Sequence, residues 1–531
     1  MKAIVNFIQF VRGVEPRDPD LDLLEPVREQ IAILRQYGFR GTLLLQYDAM
    51  IQPEFQQIAK EAADCEEIGL WLEAVQPLVE AVGLRWRGRR GFSWDWHCHC
   101  DALIGYTPEE RRLLIDEAIR RFREIFGFTP KVAGAWVLDA VSLSYLHDKY
   151  GIVAACNCKE QWGTDGYTLW GGCAPAYYPS RKNVLCPAQT AQEQIDVPVF
   201  RMLGSDPVYQ YDVFLSEGND VITLEPGSGI FGGMGGGSSP DWVDWYFREN
   251  FTSGRGISLA YAQTGQENSF GWAAIGMGLP YQAKKIAELR DRGEVEVLTL
   301  GEAGEWFAAT YASTPAAAQA ALSDWKGEGR KSIWYYSPHY RANLYIEGGE
   351  AGIRDCYLFD ENYQERYLKD VCRGDSCLFD NLPVWDGMRW SKGRESAKLR
   401  IAGANGEQVW VKTADYREEK DRAFVTLETT LGRLEVEFAP ECIEMRMAGG
   451  KEFSLIGDAD PAKVDAAIEQ TGDRALSYEY RGHRYGLGAE RGRFAEGRIC
   501  SEQGTLSLAF RISKDNFSEE DILREEVAFD M

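Results

Sequence analysis

Acidic side chains stand where several apolar segments of the chain end, and such groups can cleave bonds. Asp139 follows the apolar run of "KVAGAWVLD", Glu73 lies in "GLWLEAV", and Glu267 lies in "LAYAQTGQENSFGW". Two carboxylates across a glycosidic bond can hydrolyse it, because one protonates the leaving oxygen while the other attacks carbon or activates water. We therefore predict Asp139 as nucleophile or base and Glu267 as acid/base, with Glu73 as a reserve carboxylate.

Polar and aromatic groups near the same segment ends could hold a sugar, whose hydroxyls need hydrogen bonds and whose ring needs a flat apolar face. A carboxylate-bearing substrate, such as a uronic acid, could pair with Arg12 or Arg17. Structural roles compete with these readings: Asp139 could cap a helix, Glu267 could sit in a polar turn, and the arginines could form surface ion pairs. The predicted substrate-binding residues are Arg12, Gln46, Asp95, His97, Trp136, Asp165, Gln266 and Trp272.

The stretch "WDWHCHCD" (94–101) offers a metal alternative. Asp95, His97 and His99 alternate along it, so an extended segment would place them on one side. They could bind a divalent metal such as zinc, contact sugar hydroxyls, or be structural. Two imidazoles and one carboxylate would leave the metal shell open. Our main expectation is therefore a site with no metal and no cofactor.

The elements that must position these residues alternate between strands and helices over residues 1–312. Such alternation implies a parallel sheet with right-handed crossovers, and this many units predicts a β/α barrel whose strand ends build the active site. An open two-sided sheet is the structural alternative. The clearest helix spans 107–127, where Thr107 and Glu110 form a capping box. The predicted strands are 2–10, 41–47, 67–75, 131–139, 151–157, 197–204, 257–264 and 294–300.

The pattern changes to a period of two in the last part of the chain. In "RLEVEFA", Leu434, Val436 and Phe438 fall on one face, as expected for half-buried antiparallel strands. We therefore predict a β-sandwich over 331–531 and a helical linker over 313–330. The predicted fold class is α/β, with an irregular (β/α)7-type barrel followed by an antiparallel β-sandwich domain.

Composition excludes several classes of partner. The net charge is −24, and the densest basic run, "RWRGRR" (85–90), reads as a solvated loop, so we predict neither nucleic-acid nor membrane-surface binding. We find no apolar run long enough to span a membrane and no signal peptide. With 12 cysteines in 531 residues, most thiols are expected to be reduced in a cytoplasmic protein. The aromatic sandwich could supply a homo-oligomer face.

These residues resemble a superfamily of glycoside hydrolases and polysaccharide deacetylases built on an irregular seven-stranded β/α barrel, over roughly residues 1–310. The segment "PKVAGAWVLDAVSLSYLHDKYGI" is similar to family 57 glycoside hydrolases, where Gly-x-Trp precedes the nucleophile. The related α-mannosidases use an aspartate, so the resemblance implies a nucleophile at Asp139. The sandwich after the barrel also resembles both families. Metal-dependent deacetylases carry paired histidines and aspartates that "WLEAV" and "NFIQFVRGVEPR" lack.

We therefore expect a cytoplasmic, metal-independent glycoside hydrolase of a bacterial branch, acting on small or partly degraded saccharides. Three alternatives remain open at this point. One is a metal-dependent deacetylase or α-mannosidase-like hydrolase that uses Asp95, His97 and His99. The second is a glycan transferase of the same architecture. The third is a saccharide-binding protein without catalysis.

Overall fold

The computed structural model describes residues 2–157, 174–202, 204–213, 222–227, 235–378 and 382–512. Asp165, one of the predicted substrate-binding residues, lies outside the described residues. The N-terminal part contains the strands β1 (Lys2–Val11), β2 (Gly41–Leu45), β3 (Glu66–Trp71), β4 (Val132–Ala135), β5 (Ala154–Asn157), β6 (Ala176–Tyr177), β7 (Pro179–Ser180), β8 (Asn183–Pro187), β9 (Val199–Arg201), β10 (Leu259–Thr264) and β11 (Glu296–Val297).

Helices separate most of these strands, as the alternating pattern predicts. They are α1 (Glu25–Tyr37), α2 (Tyr47–Met50), α3 (Pro53–Glu61), α4 (Gln76–Ala81), α5 (Pro108–Phe126), α6 (Ala140–Tyr145), α7 (Gln210–Val213), α8 (Pro240–Phe247), α9 (Trp272–Asp291) and α10 (Leu300–Thr310). Local chemistry explains the clearest of them. Thr107 and Glu110 form the predicted capping box of α5, and Gly127 ends that helix with a left-handed backbone at φ 79°.

A parallel sheet forms the frame of the N-terminal part. Among the described residues, seven strands pair in parallel in the order β10-β1-β2-β3-β4-β5-β9. The strand β6 pairs antiparallel with β9 at one end, and β11 pairs with β1. In this described part the order does not close on itself, so the barrel is open. All parallel strands point the same way, and their carboxyl ends share one edge.

Two antiparallel sheets form the C-terminal part. The first runs β12-β13-β14-β15-β17-β22-β27-β26 with β16 beside β15, and the second runs β18-β19-β20-β21-β28-β25-β24-β23. The strands are β12 (Ala317–Ala321), β13 (Lys331–Tyr336), β14 (Tyr340–Glu347), β15 (Glu350–Leu358), β16 (Leu382–Asp386), β17 (Leu399–Gly403), β18 (Val411–Glu419), β19 (Arg422–Thr429), β20 (Arg433–Ala439), β21 (Cys442–Met447), β22 (Phe453–Gly457), β23 (Ala467–Gln470), β24 (Ala475–Tyr480), β25 (His483–Arg491), β26 (Arg493–Ala495), β27 (Arg498–Cys500) and β28 (Thr505–Ile512).

The two sheets pack face to face through their apolar sides. Leu434, Val436 and Phe438 are fully buried on one face of β20, as their period of two predicts. Phe438 stacks on Tyr335 of the opposite sheet with ring centroids 5.7 Å apart. This packing completes a β-sandwich. The predicted fold class, an irregular barrel followed by an antiparallel sandwich, is confirmed.

The helix predicted within 313–330 is wrong. Residues Ala317–Ala321 form β12, which pairs antiparallel with β13 from Ala317 opposite Tyr336 to Ala321 opposite Ser332. Alanine has the highest intrinsic helix propensity, but tertiary pairing and burial override propensity. Here the small side chains allow the strand to lie buried at the edge of the first sandwich sheet. Among the described residues, no helix is long and apolar enough to cross a membrane.

Candidate active site

A cleft of about 200 Å³ opens at the carboxyl ends of the parallel strands. Arg12 directly follows β1, Glu73 follows β3, Trp136 directly follows β4, and Glu267 lies in the loop after β10. Side chains at this edge of a β/α barrel build active sites because the loops there converge. The other residues that line the cleft are Arg17, Leu72, Trp94, Trp96, Asp101, Ala102, Val137 and Phe270.

The guanidinium of Arg12 joins two carboxylates at the floor of this cleft. Its Nη2 lies 3.2 and 3.1 Å from the two oxygens of Glu73, and its Nη1 donates to Oε1 of Glu267. All three side chains are only 3% exposed. Burial disfavours the charged guanidinium, but the charges of Glu267 and Glu73 outweigh burial and raise the pKa of Arg12. The floor is therefore a fixed cation between two acids.

Glu267 and Glu73 differ in how their oxygens are used. Both oxygens of Glu73 accept from Arg12, and Gln46 donates to Oε2 of Glu73 at 2.6 Å. Glu267 accepts from Arg12 and Ser269 on Oε1, whereas its buried Oε2 has no hydrogen-bond partner among the described residues. Burial raises the pKa of Glu267 above the ordinary value of a glutamate, although the charge of Arg12 opposes this shift. Glu267 is thus suited to carry a proton on its unbonded oxygen.

Aromatic rings form the walls above this floor. Trp94 lies over Arg12, with the guanidinium carbon 3.9 Å from the ring centroid. Trp136 lines the cleft and packs edge-on against Phe10, while Phe270 is 40% exposed at the cleft. Flat apolar faces above hydrogen-bonding groups are what a sugar ring requires of a binding site.

Asp139 does not line the cleft. Its Oδ1 accepts from the backbone N–H of Ser142 at 2.9 Å, which caps α6, and its Oδ2 contacts the Ser142 hydroxyl at 2.6 Å. Arg111, fully buried like Asp139, donates to Oδ1 at 3.0 Å. Both oxygens of Asp139 are therefore engaged in structural contacts. Asp139 is therefore the N-cap of α6, which is the structural alternative that the sequence left open.

The remaining predicted substrate-binding residues divide between the cleft and its support. Arg12 and Trp136 line the cleft, and Gln46 holds Glu73 from behind. Gln266 lies outside the lining, and its Oε1 accepts from the backbone N–H of Glu267. Trp272 also lies outside the lining, because it begins α9 and packs against the barrel core.

The metal alternative does not fit these residues. Asp95 accepts from the backbone and side chain of Arg89 and lies 2.7 Å from Nδ1 of His97. Nδ1 of His99 instead lies 3.2 Å from an oxygen of the exposed Asp375. Across the described ranges, no group of three His, Cys, Asp or Glu side chains is arranged to hold a metal ion.

At the cleft floor itself, the space beside the two carboxylates is taken by the Arg12 guanidinium. A divalent cation of the kind used by the deacetylases that the sequence resembles would have to displace that guanidinium. The donor set of this chain therefore does not fit the metal that the resemblance suggests.

Trp94, Trp96 and Asp101 were not predicted as cleft residues. Asp95, His97 and His99 of the same stretch were predicted instead, because an extended segment would present them together. The backbone instead turns there, since the N–H groups of Cys100 and Asp101 both donate to the carbonyl of His97. Trp94, Trp96 and Asp101 line the cleft, whereas Asp95, His97 and His99 do not, so strict alternation fails across this turn.

Comparisons with known proteins give similarity of fold. A family model described as "Domain of Unknown Function with solved-structure structure (DUF3863)" matches residues 106–331, which is less than half of the chain. A comparison with curated proteins gives no match.

Several solved structures are similar to this chain. A candidate glycoside hydrolase/deacetylase from Parabacteroides distasonis has 14% identity and a TM-score of 0.49, covering 70% of this chain and 87% of its own. A candidate polysaccharide deacetylase from Mycobacterium smegmatis has 14% identity and a TM-score of 0.36, covering 58% and 91%. The PuuE allantoinase has 11% identity and a TM-score of 0.33, covering 58% and 91%.

Two of these three structures bear names from the superfamily that the sequence resembles, and none of the three is named as a family 57 enzyme or an α-mannosidase. At such identities and TM-scores the similarities decide nothing about activity.

Proposed function

We propose that this chain is a carbohydrate-active hydrolase that cleaves glycosidic bonds, with Glu267 as acid/base and Glu73 as the second carboxylate. One observation carries the proposal. A single buried guanidinium, that of Arg12, holds both carboxylates at the floor of a cleft with aromatic walls. Most glycoside hydrolases use a pair of carboxyl groups that flank the scissile bond.

The surroundings of the two acids suggest their roles. Because the pKa of Glu267 is raised and its Oε2 is unbonded, this group can donate a proton to the leaving oxygen. Arg12 and Gln46 fix both oxygens of Glu73, so that acid is oriented to attack the sugar carbon or to activate water. In this proposal Glu73 takes the place that the sequence gave to Asp139.

The walls favour a saccharide as the substrate. Trp136 and Phe270 offer faces on which a sugar ring can stack, while Asp101 and Arg17 supply further polar groups to the lining. We propose small or partly degraded saccharides, as the sequence predicts. Cleavage of the glycosidic bond is favoured over removal of an acetyl group, because the metal-ligand set of a metal-dependent deacetylase is missing from the described residues.

The test is activity of Glu267→Gln and Glu73→Gln on a panel of chromogenic glycosides. We expect each variant to lose about 100-fold or more in kcat, since removing an acid–base group costs about 10²–10⁴-fold. The wild-type rate should fall as pH rises through the raised pKa of Glu267, because the protonated acid is then lost. The Glu267→Gln variant should lack this alkaline limb in its pH profile.

Glu249→Gln is the matched control. Glu249 is also a buried glutamate paired with an arginine, Arg255, but it does not line the cleft. This variant should retain the wild-type rate. Retention of full activity by both cleft variants would contradict the proposal. Release of acetate from N-acetylated saccharides with intact glycosidic bonds would assign the cleft to deacetylation instead.

A further inference from the structure

Arg17 is held in place at the cleft although it is half-exposed. Its Nε and backbone N–H donate to Oε1 of Glu15 at 2.7 and 2.9 Å, and its Nη2 pairs with the other oxygen. The side chain of Arg17 is 50% exposed, whereas that of Glu15 is only 3% exposed. A buried anchor therefore fixes a guanidinium that still faces solvent. A surface ion pair alone would not need such an anchor.

Aromatic rings hold the same guanidinium from its flat side. The guanidinium carbon of Arg17 lies 5.3 Å from the ring centroid of Trp94 and 5.0 Å from that of Trp96. On the deep side Trp94 contacts Arg12, and on the outer side Trp96 contacts Arg89 at 4.0 Å. Guanidinium and indole groups thus alternate from the cleft floor to its rim. We call these five side chains the Arg–Trp stack.

Donors remain on Arg17 for another partner. A guanidinium has five N–H donors, and the hydrogen bonds of Arg17 within the described residues involve only Nε and Nη2. Its planar fork matches a carboxylate in two parallel hydrogen bonds. Because Glu15 and the tryptophans already order the side chain, binding there costs little additional conformational entropy.

Charge is separated along the cleft. Glu73 and Glu267 lie on the floor, while Arg17 stands at the cleft and Arg89 lies at the outer end of the stack. Arg89 belongs to the densest basic run of the sequence, residues 85–90, in a chain whose net charge is −24. Arg89 is exposed, as expected for the predicted solvated loop, but its guanidinium contacts Trp96 of the cleft wall. An anionic group at Arg17 would meet a guanidinium that lies outside the ion-paired floor.

We infer that the cleft binds a saccharide bearing a carboxylate, such as a uronic acid, and that Arg17 recognises that carboxylate. This inference rests on the proposed function, because the floor of the same cleft holds the carboxylate pair. A uronate bound at Arg17 places a neighbouring glycosidic bond toward Glu73 and Glu267. Arg17 is accordingly a specificity-determining residue.

Calorimetric titration tests the inference with trisaccharides in matched pairs. Oligogalacturonate is compared with oligogalactoside, oligomannuronate with oligomannoside, and oligoglucuronate with oligoglucoside. The titrations use the Glu267→Gln variant, so that no probe is consumed. We expect at least one uronate to bind tenfold or more tightly than its neutral counterpart, and we expect added salt to weaken that preference.

Substitution of Arg17 then assigns the preference. Arg17→Gln should bring the members of that pair to within about twofold, and Arg17→Lys should retain part of the preference because it keeps charge without the fork. If Arg17→Gln destabilises the fold by leaving Glu15 unpaired, the Glu15→Gln/Arg17→Gln double variant supplies the same test. Arg35→Gln is the control, since Arg35 is 46% exposed and pairs with Asp64 away from the cleft.

Each result decides between the alternatives. Equal binding of every acidic and neutral partner, no binding of any uronate, or a preference that survives Arg17→Gln would overturn the inference. Tighter binding of a sulfated trisaccharide than of any uronate would overturn the carboxylate assignment. Cleavage of neutral glycosides without a preference for uronates would support the proposed function and reject the role of Arg17 in recognising a carboxylate. Arg17-dependent uronate binding without cleavage would reject only the proposed hydrolysis.

Discussion

Individual buried charges in the barrel are balanced to different degrees. Arg12 is surrounded by two carboxylates, so its burial is compensated. Asp48, on the neighbouring helix α2, is less well compensated. Its Oδ1 accepts from the backbone N–H of Ala49 at 2.7 Å, and the backbone of Gly13 also favours the charged form, but burial outweighs both. Burial raises the pKa of Asp48 from 3.8 to about 6.

This shift predicts how Asp48→Asn changes stability with pH. A native pKa above the unfolded value means that the folded state binds the proton more tightly, so stability is lost as pH rises from about 4 to about 6. A pKa difference of about two units between the folded and unfolded states corresponds to about 3 kcal/mol of stability. Asp48→Asn removes this term, so its effect on the free energy of unfolding should be about 3 kcal/mol more favourable at pH 8 than at pH 4.

Urea unfolding at several pH values measures this difference. Asp20→Asn serves as the control, because Asp20 is exposed. Its effect on the free energy of unfolding should not vary with pH by more than a few tenths of a kcal/mol. A pH-independent effect of Asp48→Asn would show that the pKa of Asp48 is the same in the folded and unfolded states, which would contradict the prediction.

At the scale of elements, each parallel strand delivers a side chain to one edge of the sheet. The strand ends at Arg12, Glu73 and Trp136 were predictable from apolar runs alone, and so was the position of Glu267. The direction of each side chain was not. Asp139 ends an apolar run in the same way, yet its side chain points away from the cleft lining, where it caps α6 and pairs with Arg111.

The position of Asp139 predicts a structural rather than a catalytic defect. Asp139→Ala should lower the free energy of unfolding by about 3–5 kcal/mol, because it leaves the buried Arg111 without its carboxylate. Asp139→Asn should cost less, since an amide oxygen can still cap α6. Denaturant unfolding and the rate per folded molecule are the measurements. A stable Asp139→Asn variant that has lost activity 100-fold would return Asp139 to the catalytic pair.

The sequence was informative where local signals were strong. The capping box at Thr107 and the alternation at Leu434, Val436 and Phe438 depend on neighbouring residues, and both were predicted correctly. The strand Ala317–Ala321 was missed because pairing with a distant strand overrides the helix propensity of alanine. The tryptophans of the cleft wall were missed because this stretch presents Trp94 and Trp96, and not Asp95 and His97, to the cleft.

At the scale of the whole molecule, the C-terminal half braces the loops of the barrel. Arg111 donates to the carbonyls of Tyr367 and Asp370 at 2.7 and 2.9 Å. Glu365 accepts from the backbone N–H groups of Ala140 and Val184 at 2.9 and 2.8 Å. These contacts join residues more than 180 positions apart, so no local pattern in the sequence could predict them.

We therefore expect a fragment of residues 1–312 to lack a stable native state. Without the C-terminal half, Arg111 loses both carbonyl acceptors and the N–H groups of Ala140 and Val184 lose their carboxylate, and each lost hydrogen bond removes about 0.5–1.5 kcal/mol of stability. Circular dichroism during urea titration should show no cooperative transition for the fragment, while the full chain unfolds cooperatively. A cooperative transition in the fragment would show that the barrel folds by itself.

The guanidinium at the cleft floor also bears on how the molecule depends on its surroundings. Arg12 is a covalent part of the chain and keeps its proton at every pH that the fold survives. The positive charge between Glu73 and Glu267 is therefore present as soon as the polypeptide has folded. A chelator cannot remove this charge, and a competing ion cannot replace it. The polypeptide itself supplies the positive charge of the cleft floor, so that charge does not depend on an ion taken up from the medium.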